Sequence, residues 1–562
     1  CRAWFTRMID TTKKCIVILN DVDLSKINFA ILSYVWGKDQ KLKLLRSNRD
    51  ELEEFESLTT NVPSKTIVDA INLAKELQLP YIWVDALCIL QDDDKDKAIQ
   101  VGAMGLLYNT ANVTIVAAAG EDADAGLPGL RPNTRFAEQQ EVFVVPPSRD
   151  TTSLGCTTKG ISLMTTLGPY ASSDFESHNL TNTKWGSRGW TMQEQYVSRR
   201  NLIFTDEQVW WSCSCATWCE EAYFDLKEVP RFQFRGARQL DSGLLELLSS
   251  TELHLGLRQA LWDAYRRIVT DYTRRSFSYD GDVYDAFSAI LKAFRSLAGQ
   301  TFLWGLPRSR FEAALRWERM DIHHRRIAYS TLPMGPHKLR LPFPSWSWMG
   351  WIGQAEVAVS EEDAVLLAQW PEIVCYVLRT VPFRIERIEN QFNDQKQHSE
   401  VLPEPGTPLR AQWKPTSNLD VSENQLLKHY AYFADESYAH LDEGVLFFWA
   451  SCAEFRVELD ISTGPPHWYM ILSSDGQVVG KCERDFEASK MTSQQLEQHI
   501  LDKTVSSQFI VLGSRSFDPS NILLDVMQIG WRGGLAHRID VGYISEEAWV
   551  NEKPVWSLIA LG

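Results

Sequence analysis

Histidine is missing from the first 177 residues of this 562-residue chain, and all eleven lie beyond that point. The absence argues against a Ser or Cys nucleophile served by a histidine base in the amino-terminal third. Neither a G-x-G-x-x-G run nor a P-loop occurs, so the common glycine-rich phosphate cradles are excluded. No apolar run reaches the roughly 18 residues that a membrane-crossing helix needs. The ten cysteines follow no regular spacing and read as reduced thiols. Cys213, Cys215 and Cys219 in CSCATWCE lack a nearby His and a C-x2-C pair, so no metal site is expected there. Basic charge is short as well: 57 Lys and Arg stand against 73 Asp and Glu, a net −16 that disfavours a nucleic-acid partner. The opening CRAWFTRMID has no initiator Met and no apolar signal core, and reads as a trimmed start without a leader. A cytoplasmic, soluble protein is expected, with no membrane partner.

The length suggests two or three domains, and 21 Trp predict heavily aromatic cores. From Phe29 the pattern alternates. FAILSYVWG predicts a strand over 30–36, VPSKTIVDAINLAKELQ an amphipathic helix, and YIWVDALCIL a strand over 81–90. AIQVGAMGLLYNTA follows as a helix and NVTIVAAAG as a strand over 112–118. The fold class is therefore α/β, a parallel sheet with helices on both faces. GEDADAGLPGLRP reads as a loop, and periodicity stays weak to about residue 183. Residues 262–315 are helical in pattern, and PSWSWMGW alternates aromatic and small residues as a packed strand would. Later β-like runs such as GVLFFWASCAEFRVEL and LLDVMQIGW suggest an antiparallel barrel or sandwich. The expected partition is an extension over 1–28, the α/β domain over 29–215, a mainly helical segment over 216–340, and a β-rich domain over 341–562. A polar surface insertion is expected near 386–430.

Candidate site residues gather at strand ends, because open α/β sheets bind ligands beyond the carboxyl ends of their strands. Ser33, Tyr34, Trp36 and Gly37 follow the first strand, and Gln91, Asp92 and Asp93 follow the second. Asp85 lies inside a run built for a dry core, where a carboxylate needs donors or a cation such as Arg188. It either orders neighbouring loops or does acid and base chemistry. Cys88 reads as a small buried hydrophobe, with a nucleophilic role as the alternative. RGWTMQE sets Arg188, Trp190, Gln193 and Glu194 together, able to hold phosphate, stack a base and offer a carboxylate, or to form a buried ion pair beside a core Trp.

LSYVWG at 32–37, LPYIWVDALCILQDDD at 79–94, MGLLYNTANVTIVAAAG at 104–120 and RGWTMQEQYVSRRNLIF at 188–204 resemble, in order, the blocks of the fungal heterokaryon incompatibility (HET) domain. WGLP and PSWSWMGW resemble a tail often attached to it. The resemblance implies a fold similar to Toll/interleukin receptor (TIR) domains, and a role in self/non-self recognition and regulated cell death. Some TIR domains hydrolyse NAD with a glutamate on a helix after a central strand. It thus implies NAD or a related nucleotide as ligand or substrate, with no required cofactor. Many HET domains carry Asp-Trp-x-x-Glu before the third block, whereas this chain reads Asp96-Lys97-Ala98-Ile99-Gln100. Gln100 stands where that glutamate would, and an amide neither accepts a proton nor offers full negative charge. Either another carboxylate such as Glu194 substitutes, or the nucleotide is bound and not cleaved. Three functions compete: a HET-type recognition protein with a nucleotide pocket, an enzyme using Asp85, Glu194 and Cys88 on a small metabolite, and a non-catalytic protein that binds a partner or itself.

Overall fold

The short apolar runs of the amino-terminal region become strands of one sheet. The structure, a computed structural model, describes residues 2–38, 40–135, 141–145, 161–164, 180, 182–213, 217–220, 254–320, 324–326, 343–357, 375–380, 383–388, 444–460, 467–485, 505–518, 521–532 and 534–562. The chain divides into two compact units, Cys1–Ala264 and Tyr265–Gly562. The first holds β1 (Arg2–Asp10), β2 (Cys15–Asp23), β3 (Phe29–Ser33), β4 (Tyr81–Trp83), β5 (Val113–Ala117), β6 (Arg200–Phe204), β7 (Val209–Cys213) and β8 (Thr217–Cys219). Their order is β8-β7-β6-β5-β3-β4-β1-β2. The central four, β4, β3, β5 and β6, are parallel. Antiparallel hairpins flank them, β1–β2 against β4 and β7–β8 against β6. Residues 2–23, outside the block pattern, thus belong to the same sheet.

Both faces of the parallel strands are covered, as such sheets require. On β5, Ile115 and Ala117 join a cluster with Phe29, Trp83 and Leu107, while Val116 between them joins Val35, Trp185 and Ile203. The crossover helices are α1 (Lys65–Glu76), α2 (Asp94–Thr110) and, before β6, α3 (Gly189–Val197). The first amides of α1 are satisfied from a distance. Lys65 N donates to Asp124 Oδ1 and Thr66 N to the Ala123 carbonyl, so the Gly/Asp-rich loop folds back as a cap. Gly126 N returns a bond to Thr66 Oγ1, and Asp69 accepts from Leu127 N and Arg131.

The expected strand over 81–90 is corrected. Extended pairing stops at Trp83, and Asp85–Cys88 form one helical turn, with Cys88 N bonded to the Val84 carbonyl at 2.8 Å. A continuous apolar run carries no period that separates strand from buried helix. Here Asp85 Oδ1 also takes the Ala86 amide at 2.7 Å, a local bond that favours the turn.

Helix α4 (His254–Thr273), which runs across the boundary at residue 264, and α5 (Asp285–Ala298) of the second unit fulfil the helical pattern. PSWSWMGW is not a strand: Ser347 caps a 3₁₀ turn over Trp348–Gly350 by accepting Met349 N. Serine hydroxyls that bond nearby backbone compete with strand pairing, which overrides the aromatic alternation. Trp346 and Trp348 are fully buried, and Phe287 meets Trp348 edge-on at 5.2 Å. Then come β9 (Leu446–Asp460), β10 (His467–Leu472), β11 (Val478–Asp485), β12 (Val505–Asp518), β13 (Asn521–Arg532), β14 (Leu535–Ser545), α6 (Glu546–Asn551) and β15 (Val555–Leu561). The pairings run β9-β10-β11-β14-β13-β12 and back to β9, which closes a barrel. Strand β15 lies along β9. Trp549 of α6 packs in the barrel core, stacked on Phe455 at 5.5 Å and donating to Ser451 Oγ at 3.0 Å. The polar stretch expected near 386–430 falls almost wholly outside the described residues. No helix among the described residues is long and apolar enough to cross a membrane.

Candidate functional site

The chain leaves β3 toward β4 on one side, then crosses to β5 on the other. At such a reversal the connecting loops diverge and open a crevice at the carboxyl ends. Ser33 ends β3 at this point, and its hydroxyl donates to Glu194 Oε2 while accepting the Trp185 indole N–H at 2.7 Å. Glu194 lies on α3, which presses its buried face, Thr191 to Gln195, into the first unit. Only 7% of Glu194 and 1% of Ser33 are exposed.

Asp85, in the turn after β4, is the outer carboxylate. It is half-buried as a residue, yet its oxygens are enclosed: Oδ2 accepts the Trp36 indole N–H at 2.8 Å, Oδ1 the Ala86 amide. The Trp36 ring in turn lies under Lys43 Nζ, 5.3 Å from the ring centre. Arg188 immediately precedes α3 and donates from NH1 to the Tyr34 carbonyl at 2.8 Å, which places its charge beside both acids.

Burial dominates the electrostatics. It pushes the Glu194 carboxyl up to about 7, against the Ser33 hydroxyl and Arg188, while the neighbouring Asp85 charge adds to the rise. It pushes Asp85 up to about 6, opposed first by Arg188, then by the Ala86 amide and Trp36. Tyr34 and Tyr108 are held well above the ordinary phenol value, by burial first and then by Asp85 and Glu194 respectively. The result is two coupled carboxyls near neutrality around one guanidinium, an arrangement able to exchange protons at working pH.

The other expected residues fall into place less directly. Gly37 has φ +74, and a Cβ there would stand 2.5 Å from Asp122 Cβ, so the position requires glycine. Gln91 Nε2 donates to the Asp85 and Ile89 carbonyls. Asp92 accepts Arg46 N at 3.0 Å, and Asp93 both caps α2 and accepts Arg46 NH2 at 2.6 Å. The acidic knot is thus a helix cap and an arginine clamp. Trp190 packs half-buried against the core, and Gln193 is buried in α3. Cys88 is fully buried, accepts Val84 N through sulfur, and is pushed by burial up to about 12, so its thiol stays protonated. Gln100 sits on α2 and is 1% exposed, two turns before Tyr108, the residue of that helix which interacts with Glu194.

Sequence reasoning missed Tyr108, Trp185 and the Arg7 partner of Asp96. The first two read as core aromatics within apolar or loop stretches, and a polar tip on each was the available signal. Arg7 NH1 stands 3.0 Å from each Asp96 oxygen, which ties β1 to the start of α2. Among the described residues no group of three or more His, Cys, Asp or Glu could hold a metal. No curated protein and no solved structure matches the chain. Residues 29–194 match the family model "Heterokaryon incompatibility protein (HET)", a span that runs from the start of β3 to Glu194. The chain therefore carries a HET domain, and the Ser33, Asp85, Arg188 and Glu194 cluster lies within it.

Proposed function

We propose that this HET domain binds a nicotinamide dinucleotide or a close relative at the β3–β5 crevice and cleaves its N-glycosidic bond, as part of a fungal self/non-self recognition protein that triggers cell death. One observation carries the reading: the carboxyls of Asp85 and Glu194 are both enclosed within reach of the Arg188 charge and raised to about 6 and 7. A base near neutrality combines a useful ionised fraction with proton affinity. In the reaction, the bond from the ribose anomeric carbon to the pyridinium nitrogen breaks and its electron pair neutralises the ring. Water adds to the anomeric carbon, and Glu194 takes its proton. The Glu194 charge, with that of Asp85 beside it, stabilises the oxocarbenium-like centre. Arg188 suits the phosphates, and the Trp36 ring at the crevice suits a base or nicotinamide face.

The test is release of nicotinamide from NAD by the full chain, with thermal shift read in parallel. Expected are release and stabilisation for the parent, and stabilisation without release for Glu194→Gln. A second reading, a binding module without turnover, is favoured by the hydroxyl donors already seated on Glu194 and its 7% exposure. Binding with no release in the parent selects it. Neither binding nor release sinks both and favours chemistry on another small metabolite.

A further inference from the structure

Ser33 Oγ is the middle member of a chain of three buried hydrogen-bonding groups. The Trp185 indole donates to it at 2.7 Å, and Ser33 donates onward to Glu194. An indole N–H is a donor only, so one lone pair of Ser33 is taken and its own proton is turned toward the carboxylate. Tyr108 approaches Glu194 differently. Its hydroxyl interacts with the carboxylate and also lies 3.4 Å from the Leu32 carbonyl oxygen, a second acceptor. From this asymmetry we infer that Trp185 is a positioning residue for Glu194, which holds the Ser33 hydroxyl as a committed donor, while Tyr108 is the hydroxyl that yields when the carboxyl takes up a proton. The inference rests on the reading of Glu194 as the reacting carboxylate.

A neutral carboxylic acid must place its own proton on an acceptor. Ser33, already receiving the Trp185 N–H and directed outward as a donor, is a poor one, whereas Tyr108 can turn to Leu32 and free its oxygen. Trp185 therefore opposes burial and favours the charged, base-competent form of Glu194. Without the indole N–H, Ser33 can rotate and accept from the acid, and the neutral form gains.

The experiment follows the titration of Glu194 itself. The full chain is labelled with carbon-13 at the glutamate δ position, and the Glu194 signal is assigned by its loss in Glu194→Gln. Trp185→Phe and Ser33→Ala are each expected to raise the midpoint by about one pH unit. The double variant is expected to rise no further than Ser33→Ala, because Trp185 acts through Ser33. Ser33→Ala deletes a single oxygen and keeps the test open should Trp185→Phe not fold. An unchanged midpoint in Ser33→Ala, or a Trp185→Phe increment that persists in full beside Ser33→Ala, overturns the inference. Shifts as expected in a protein that releases no nicotinamide would sink the glycosidic chemistry and leave the positioning role intact.

Discussion

Trp36 and Asp85, 49 positions apart, meet through one hydrogen bond of 2.8 Å between the indole nitrogen and a carboxylate oxygen. The other Asp85 oxygen holds the Ala86 amide, so the carboxylate pins the loop after β3 to the turn after β4. Asp85→Ala strands both donors and is expected to cost roughly 1–3 kcal/mol. Asp85→Asn keeps one acceptor oxygen, and about half that loss is expected. Guanidinium unfolding of the three proteins decides it; an alanine variant as stable as the parent would remove the pinning role.

Glu194 and Asp85 titrate near 7 and 6 when folded, above their ordinary values of 4.5 and 3.8. A raised carboxyl holds its proton more tightly in the folded chain, so its stabilising effect is complete at low pH and is lost as pH climbs through the folded value. Stability is therefore expected to fall from about pH 4 to about pH 7, the span between the unfolded and folded values, with Glu194 contributing on the order of 3 kcal/mol to the change. Glu194→Gln should flatten the decline. Denaturation midpoints at the two pH values measure it, and an equal slope in both proteins would contradict the burial argument.

The Arg7–Asp96 pair is buried on both sides, and Asp96 Oδ2 also accepts Leu90 N at 2.8 Å. Arg7→Met leaves a buried carboxylate without this cation, and a loss of about 3 kcal/mol is expected. Adding Asp96→Asn should recover part of it, because the stranded charge is then gone. A double variant as weak as the sum of the singles would deny the coupling. Arg7 lies outside residues 29–194, so a chain trimmed to the family match carries the same defect together with an uncovered β4 edge.

Gln100→Glu tests which helix residue serves the acids. Gln100 is buried two turns before Tyr108 on α2. A new carboxylate there is expected to destabilise the fold by a few kcal/mol and to leave nicotinamide release unchanged. A tenfold gain in release would return the chemistry to position 100.

The parallel strands were legible because FAILS and VTIVA are short, almost wholly apolar runs that alternate with helix-period segments. Asp85 was legible as a problem, a charge in a dry run, but not as the opening of a helical turn, since the bonds that make the turn, Asp85 Oδ1 with Ala86 N and Cys88 N with the Val84 carbonyl, leave no periodic mark in the sequence. The convergence of Ser33 with Glu194 could be expected from strand-end logic. The Trp185 contribution could not, because a tryptophan that lends one N–H to a distant serine leaves the same sequence trace as a tryptophan that only fills space. Likewise Asp92 and Asp93 advertise charge, yet nothing local reveals that Arg46 absorbs it.

The barrel closes by joining partners far apart in the chain: β9 is held along one side by β12 and along another by β15, with Leu446 opposite Leu561. A ribosome delivers β9 long before β15. Through that interval Phe447 and Ala450 have no finished wall to pack against, and the apolar lining of β9 stays open to other nascent chains. Such long-range closure is slow and exposes sticky surface while it waits. Yield from a living host should thus depend on synthesis rate and chaperone supply more than on the stability of the finished barrel.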